Sequence, residues 1–160
     1  MIVNLYDIIN NPLPQLLKIK QFQAKQQDFL YDNSIIRFMN KNLYMDKLSS
    51  EHIYCLSLTF ALSPKGIIQV AVGQNDSCKL DSRILSTGLL LTGAEQFMCF
   101  HNHPGYNRKI SYDDMVVTNR YKEIGELLGI KFLNHFMITK DFYAECREVD
   151  ESKYIFGTEV

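Results

Sequence analysis

Residues 101–114, HNHPGYNRKISYDD, bring two imidazoles and a carboxylate together at a spacing that suits a metal ion. They follow FMCF, a short apolar run that reads as a buried central strand. Residues two apart on a strand face the same side, so His101 and His103 can reach one cation from one direction. Pro104 ends the strand by removing a ladder donor. Ser111 then opens the clearest helix of the chain, and Asp114 falls in its first turn, able to face back toward the strand end. Two imidazoles and one carboxylate give three protein ligands. A fourth position stays open for water, as hydrolytic zinc chemistry requires.

A water activated in this way needs a group to take and return its proton. Glu51, at the entrance of an apolar strand, is the candidate. Glu95 is closer in sequence but precedes FMCF at the end away from the histidines, roughly 13–20 Å along an extended chain. Ser111 can donate to a developing oxyanion, although S-x-x-D is also an ordinary capping box. His52 is out of phase with Ile53 and reads as structural. His135, after IKFL, reads first as a hydrogen-bonded core histidine and second as a group behind the metal ligands.

These residues need a scaffold, and the chain has the length for one. Its 160 residues, 46% apolar and 22% charged, fit a single domain with its own core. Residues 1–32 read as an N-terminal lead-in, irregular to about residue 12 and ended there by Pro12 and Pro14, with an edge strand at Leu16–Phe22 and a polar loop after it. A helix capped by Asn33 or Ser34 should run to about Leu43. Strands are predicted at Ile53–Phe60 and Ile67–Val72, joined by the turn SPKG at 63–66. Asp81 or Ser82 should cap a helix that Gly93 stops. The helix from Ser111 turns Val117, Tyr121, Ile124 and Leu128 inward and ends at Gly129. Strands at 130–139 and 142–148 follow, then a polar tail over 151–160. Hairpins mixed with helices give an α+β fold.

Composition excludes some classes. The four cysteines form no CxxC pair, against a thiolate zinc knuckle, and Cys55 and Cys99 read as buried thiols. No apolar run is long enough to span a membrane, and MIVNLYDIINN lacks signal-peptide regions, so a cytoplasmic location is expected. Seventeen basic against 18 acidic residues give a net charge of −1, without the basic excess of nucleic-acid binders. A zinc deaminase would need H-x-E and P-C-x-x-C, and neither is present.

The pattern Glu51…His101-x-His103-x7-Ser111-x2-Asp114 resembles the JAMM signature of JAB/MPN metalloproteases. HNHPG, with GIKFLNHFMIT and CRE at 146–148 downstream, resembles the RadC family of bacterial JAB-domain proteins over about residues 33–148, within a domain expected over 33–150. The resemblance implies a three-layer α-β-α sandwich with a mixed sheet, like cytidine deaminase. It implies zinc on His101, His103 and Asp114, Glu51 as general acid/base and Ser111 as oxyanion support. JAMM relatives cleave isopeptide bonds to ubiquitin-like proteins, so a zinc peptidase or isopeptidase acting on a peptide or protein is expected. The RadC family also carries a DNA-repair label, which makes a DNA-associated or non-catalytic accessory module the alternative. Nucleic acid and oligomeric state stay open at this point. The chain departs from the family in the loop GYNRKI, which borders the site. It has Asn134 where the family has Asp before His135, so Asn134 could orient a ligand only as a neutral acceptor.

Overall fold

A computed structural model describes residues 1–73 and 79–147. Seven strands form one mixed sheet in the order β2-β1-β4-β3-β5-β6-β7. They are β1 (Ile2–Asn10), β2 (Pro14–Gln23), β3 (His52–Leu58), β4 (Pro64–Val72), β5 (Gln96–Asn102), β6 (Lys131–Ile138) and β7 (Tyr143–Glu145). Among the described residues three α-helices accompany them: α1 (Asp32–Leu43), α2 (Ser82–Thr92) and α3 (Tyr112–Leu128). The β1–β4 and β5–β6 pairs are parallel and the others antiparallel. No helix among the described residues is long and apolar enough to cross a membrane.

Strand alternation divides the core in two. On one face Tyr54, Leu56, Met98 and Phe100 pack with Ile35, Phe38 and Met39 of α1. On the other, Ile53, Cys55, Phe97 and Cys99 pack with Leu85 and Leu89 of α2 and Tyr121 and Ile124 of α3. With both faces covered, every residue of β5 is buried, as its unbroken apolar run predicts. His101 lies in the phase of Cys99 and so emerges on the α3 side.

The helices at the site start and stop where their sequences direct. Asp81 caps α2 through the amides of Arg83 and Ile84, and Gly93 closes it at φ 64°. Ser111 caps α3, and Gly129 ends it at φ 68°. Gly125 lets α3 lie directly on the start of β6: a Cβ there would stand 2.6 Å from the Ile130 carbonyl oxygen.

Several expectations need correction. The stretch read as an irregular lead-in forms β1. Its alternation is broken by a bulge between Leu5 and Tyr6, and Pro12 sits in the turn joining β1 to β2. The polar segment after β2 folds into a 3-10 turn over Gln26–Phe29. Helix α1 begins at Asp32, after Tyr31, with no side-chain cap. The tight turn of the β3–β4 hairpin is Thr59–Ser63, closed by Thr59 N–H to Ser63 O at 2.9 Å. Residues 64–66 therefore belong to β4, and Phe60 lies in the turn. Cys78, Glu148 and the 151–160 tail lie outside the described residues.

Replacing Gly125 with Ala should destabilise the fold by about 1–3 kcal/mol through overpacking against β6. Urea unfolding measures this, and an unchanged midpoint would show that α3 can lift without cost.

Candidate metal centre

The site is built at the ends of β3 and β5 and the start of α3. Antiparallel pairing sets Ile53 opposite His101, so Glu51, two residues before Ile53, comes opposite His103, two residues after His101. His101 Nε2 and His103 Nε2 are 3.0 Å apart. Asp114 Oδ1 lies 3.1 Å from His101 Nε2, and Oδ2 lies 3.4 Å from His103 Nε2. Donor atoms of these three residues all lie within 4.8 Å of one another. Glu51 Oε1 is 4.0 Å from His103 Nε2.

Each donor is held from behind. His103 Nδ1 meets the Asn107 carbonyl at 3.3 Å; a carbonyl only accepts, so Nδ1 carries the proton and Nε2 is turned to the centre. His101 Nδ1 is 2.7 Å from His135 Nε2. Asp114 Oδ2 accepts from Ser111 N–H at 2.6 Å and from Ser111 Oγ–H at 2.7 Å. The capping box thus also aims the carboxylate that sequence places at the metal. The oxyanion role implied for Ser111 requires its hydroxyl to turn away from Asp114 toward the cavity it lines.

Asn102, between the two histidines, is a residue of the site's framework that sequence reading missed. Its side-chain oxygen accepts from His52 N–H at 2.8 Å, and its nitrogen donates to Ser50 O at 3.0 Å. These bonds bracket Glu51 and fasten it to the histidine strand. The available signal was a polar residue in phase with the apolar α1 face, which must find partners. Thr118 was also missed, although a threonine four residues after Asp114 can bond back to its carbonyl.

Asn134 is not brought to the centre. It shares the phase of Phe136 and Ile138 on the α1 face, and its amide nitrogen points to Leu133 O and to Glu145 Oε1. His52 contacts Ser50 and Tyr54, in keeping with a structural reading. His135 is brought directly behind His101.

Electrostatics follow the geometry. Burial alone would raise the Asp114 carboxyl, but when the facing imidazoles carry protons on Nε2, hydrogen bonds from His101, His103 and Ser111 and the charge of His101 hold it well below the usual carboxylate range. Burial works to lower His103, yet its bond to Asp114 and the charges of Asp114 and Glu51 outweigh that and raise it. Burial pushes the Cys146 thiol up to about 12, and Asp114 adds to this. Cys55, Cys99 and Cys146 are buried free thiols, and nothing suits Cys146 to act as a nucleophile.

The donor set fits a small divalent cation. A cavity of about 30 Å³ lies among Glu51, His101, Asp114 and His135, room for one ion or water. Two nitrogens and one carboxylate oxygen suit zinc. A second convergent set among the described residues, His101, His135 and Cys146, shares His101 with the first. In front of the centre opens a cavity of about 630 Å³ lined by Glu51, His103, Ser111, Asp114, Lys79 and Lys109, among others. Its rim loop, 104–110, is tied to the β6–β7 turn by Lys140 N–H to Gly105 O and by the Arg108–Asp141 ion pair.

The family model of the RadC-like JAB domain matches residues 31–150. The chain belongs to the RadC-like JAB domain family. Relatives include a UPF0758 protein of Listeria monocytogenes serotype 4b, 33% identical over 101 residues, covering 63% of this chain and 45% of that protein. A UPF0758 protein of Bacillus licheniformis matches with the same identity and coverage. One of Clostridium acetobutylicum is 31% identical over 110 residues, covering 67% of this chain and 48% of that protein. The chain thus spans about half the length of the curated relatives it matches. In this RadC-like domain the β1–β2 hairpin precedes the matched region.

Two predictions follow from this geometry. Asn102→Ala leaves His52 N–H and Ser50 O without their partner and should cost about 1–3 kcal/mol. It should also speed exchange of the His52 amide hydrogen by NMR, and unchanged protection would remove the clamp. A divalent cation held here would compete with a proton for His103, whose pKa is raised, so its Kd should rise about tenfold per pH unit below that pKa. Chelator competition between pH 8 and 5.5 checks the slope, and a flat profile would contradict it.

Proposed function

We propose that this RadC-like domain is a zinc-dependent hydrolase of peptide or isopeptide bonds. One observation carries the reading. His101 Nε2, His103 Nε2 and the Asp114 carboxylate converge beside a cavity that His103 and Asp114 line, with a glutamate oxygen 4.0 Å from His103. The cavity volume is in the range of sites that take organic ligands, which supports a short peptide segment as the occupant.

A zinc ion held by His101, His103 and Asp114 would polarise the scissile carbonyl and bring the pKa of a coordinated water to about 7. The remaining work falls to the chain. Glu51 takes the proton of the attacking water and passes it to the leaving nitrogen. Asn102 keeps Glu51 beside the histidines. Ser111 holds Asp114 and, when its hydroxyl turns, supports the oxyanion. We also propose that α1 on one side of the sheet, with α2 and α3 on the other, make the α-β-α layering that the family resemblance implies.

Glu51→Gln should retain about one zinc per chain and lose the general-base contribution, about 10²–10⁴-fold in turnover. His103→Ala should lose the zinc. Metal content by mass spectrometry and cleavage of a peptide library read the two effects separately. Full activity in Glu51→Gln would sink the mechanism, and a zinc-loaded wild type cleaving nothing would favour the accessory-module reading.

A further inference from the structure

We infer that His135 and Thr118 are positioning residues that hold His101 in the one tautomer able to present Nε2 to a cation; this rests on the metal centre proposed above. Thr118 lies one helical turn after Asp114. Its Oγ1 lies 2.7 Å from the Asp114 carbonyl oxygen. A carbonyl can only accept, so the hydroxyl proton points there.

The same Oγ1 lies 2.8 Å from His135 Nδ1. With the hydroxyl proton committed, this contact is His135 Nδ1–H donating to oxygen. A neutral imidazole has one ring proton, so His135 Nε2 is bare. It faces His101 Nδ1 at 2.7 Å and must accept from it. His101 therefore has its proton on Nδ1, and its Nε2 lone pair points to Asp114 and His103. His135 is buried, with its two ring nitrogens engaged by His101 and Thr118.

The fold fixes each step. Strand β6 runs parallel to β5 with His135 beside Cys99, two residues before His101 and on the same face. Tyr121 packs edge-on against the His135 ring, centroids 4.9 Å apart at 89°. The hydrogen bonds close a circuit from one ligand residue to another: His101 to His135, to Thr118, to the backbone of Asp114. His103 takes its tautomer separately, from the Asn107 carbonyl.

The test combines long-range ¹H–¹⁵N correlation NMR of the histidine rings with zinc affinity by chelator competition. In the zinc-loaded wild type, His101 and His135 should both show the Nδ1–H pattern; His135 should show it without metal as well. Thr118→Val should weaken zinc binding about 10–100-fold, and Thr118→Ser should restore most of it. His135→Gln, whose amide oxygen can still accept from His101, should bind zinc better than His135→Leu. A zinc-binding wild type with His135 in the Nε2–H form, or Thr118→Val with wild-type affinity, would overturn this assignment alone. A wild type that binds no zinc would overturn the metal centre with it.

Discussion

Two imidazole nitrogens 3.0 Å apart, with carboxylate oxygens 3.1 and 3.4 Å away, form an arrangement that neutral groups alone do not favour. Lone pair facing lone pair repels, and a shared proton or a cation turns the contact attractive. The surrounding structure holds the groups in this arrangement. The β3–β5 register sets Glu51 across from His103, β6 places a histidine behind His101, and the first turn of α3 aims Asp114 inward. A displaced helix or slipped strand would separate the donors, so the precision of the site depends on the packing of both sheet faces.

Much of this was legible in the sequence because local rules and global fold agreed. HNHP after an apolar run placed two imidazoles on one face, and the capping box at Ser111 placed Asp114. Gly93 and Gly129 marked the helix ends. Less legible were features that depend on pairing between distant segments. The bulge after Leu5 broke the alternation that would have marked β1. The site-side phase of His135 became meaningful only once β6 was known to lie beside β5. Asn102 read as a spacer between histidines, since its partners, Ser50 and His52, are 52 and 50 residues away. Asn134 drew notice for standing where the family has Asp, yet strand alternation turns it to the opposite face.

Family membership and site chemistry answer different questions. The RadC-like match covers the strands and helices that build the centre, while the UPF0758 names of the relatives describe no reaction. The residues themselves therefore bear the functional argument. The fold supplies the frame, and the direction of each hydrogen bond shows which atoms remain available to a cation.

The front cavity is lined by Glu51, His103 and Asp114, while His101 is buried at the centre and His135 lies behind it. In the proposed hydrolase, cation and substrate would both meet the centre from this front cavity. Its carboxylates would draw a divalent ion inward, which would favour loading before a bulky ligand arrives. A peptide filling the cavity would then cover the ion from the front and slow its exchange, with the bound substrate acting as a stopper.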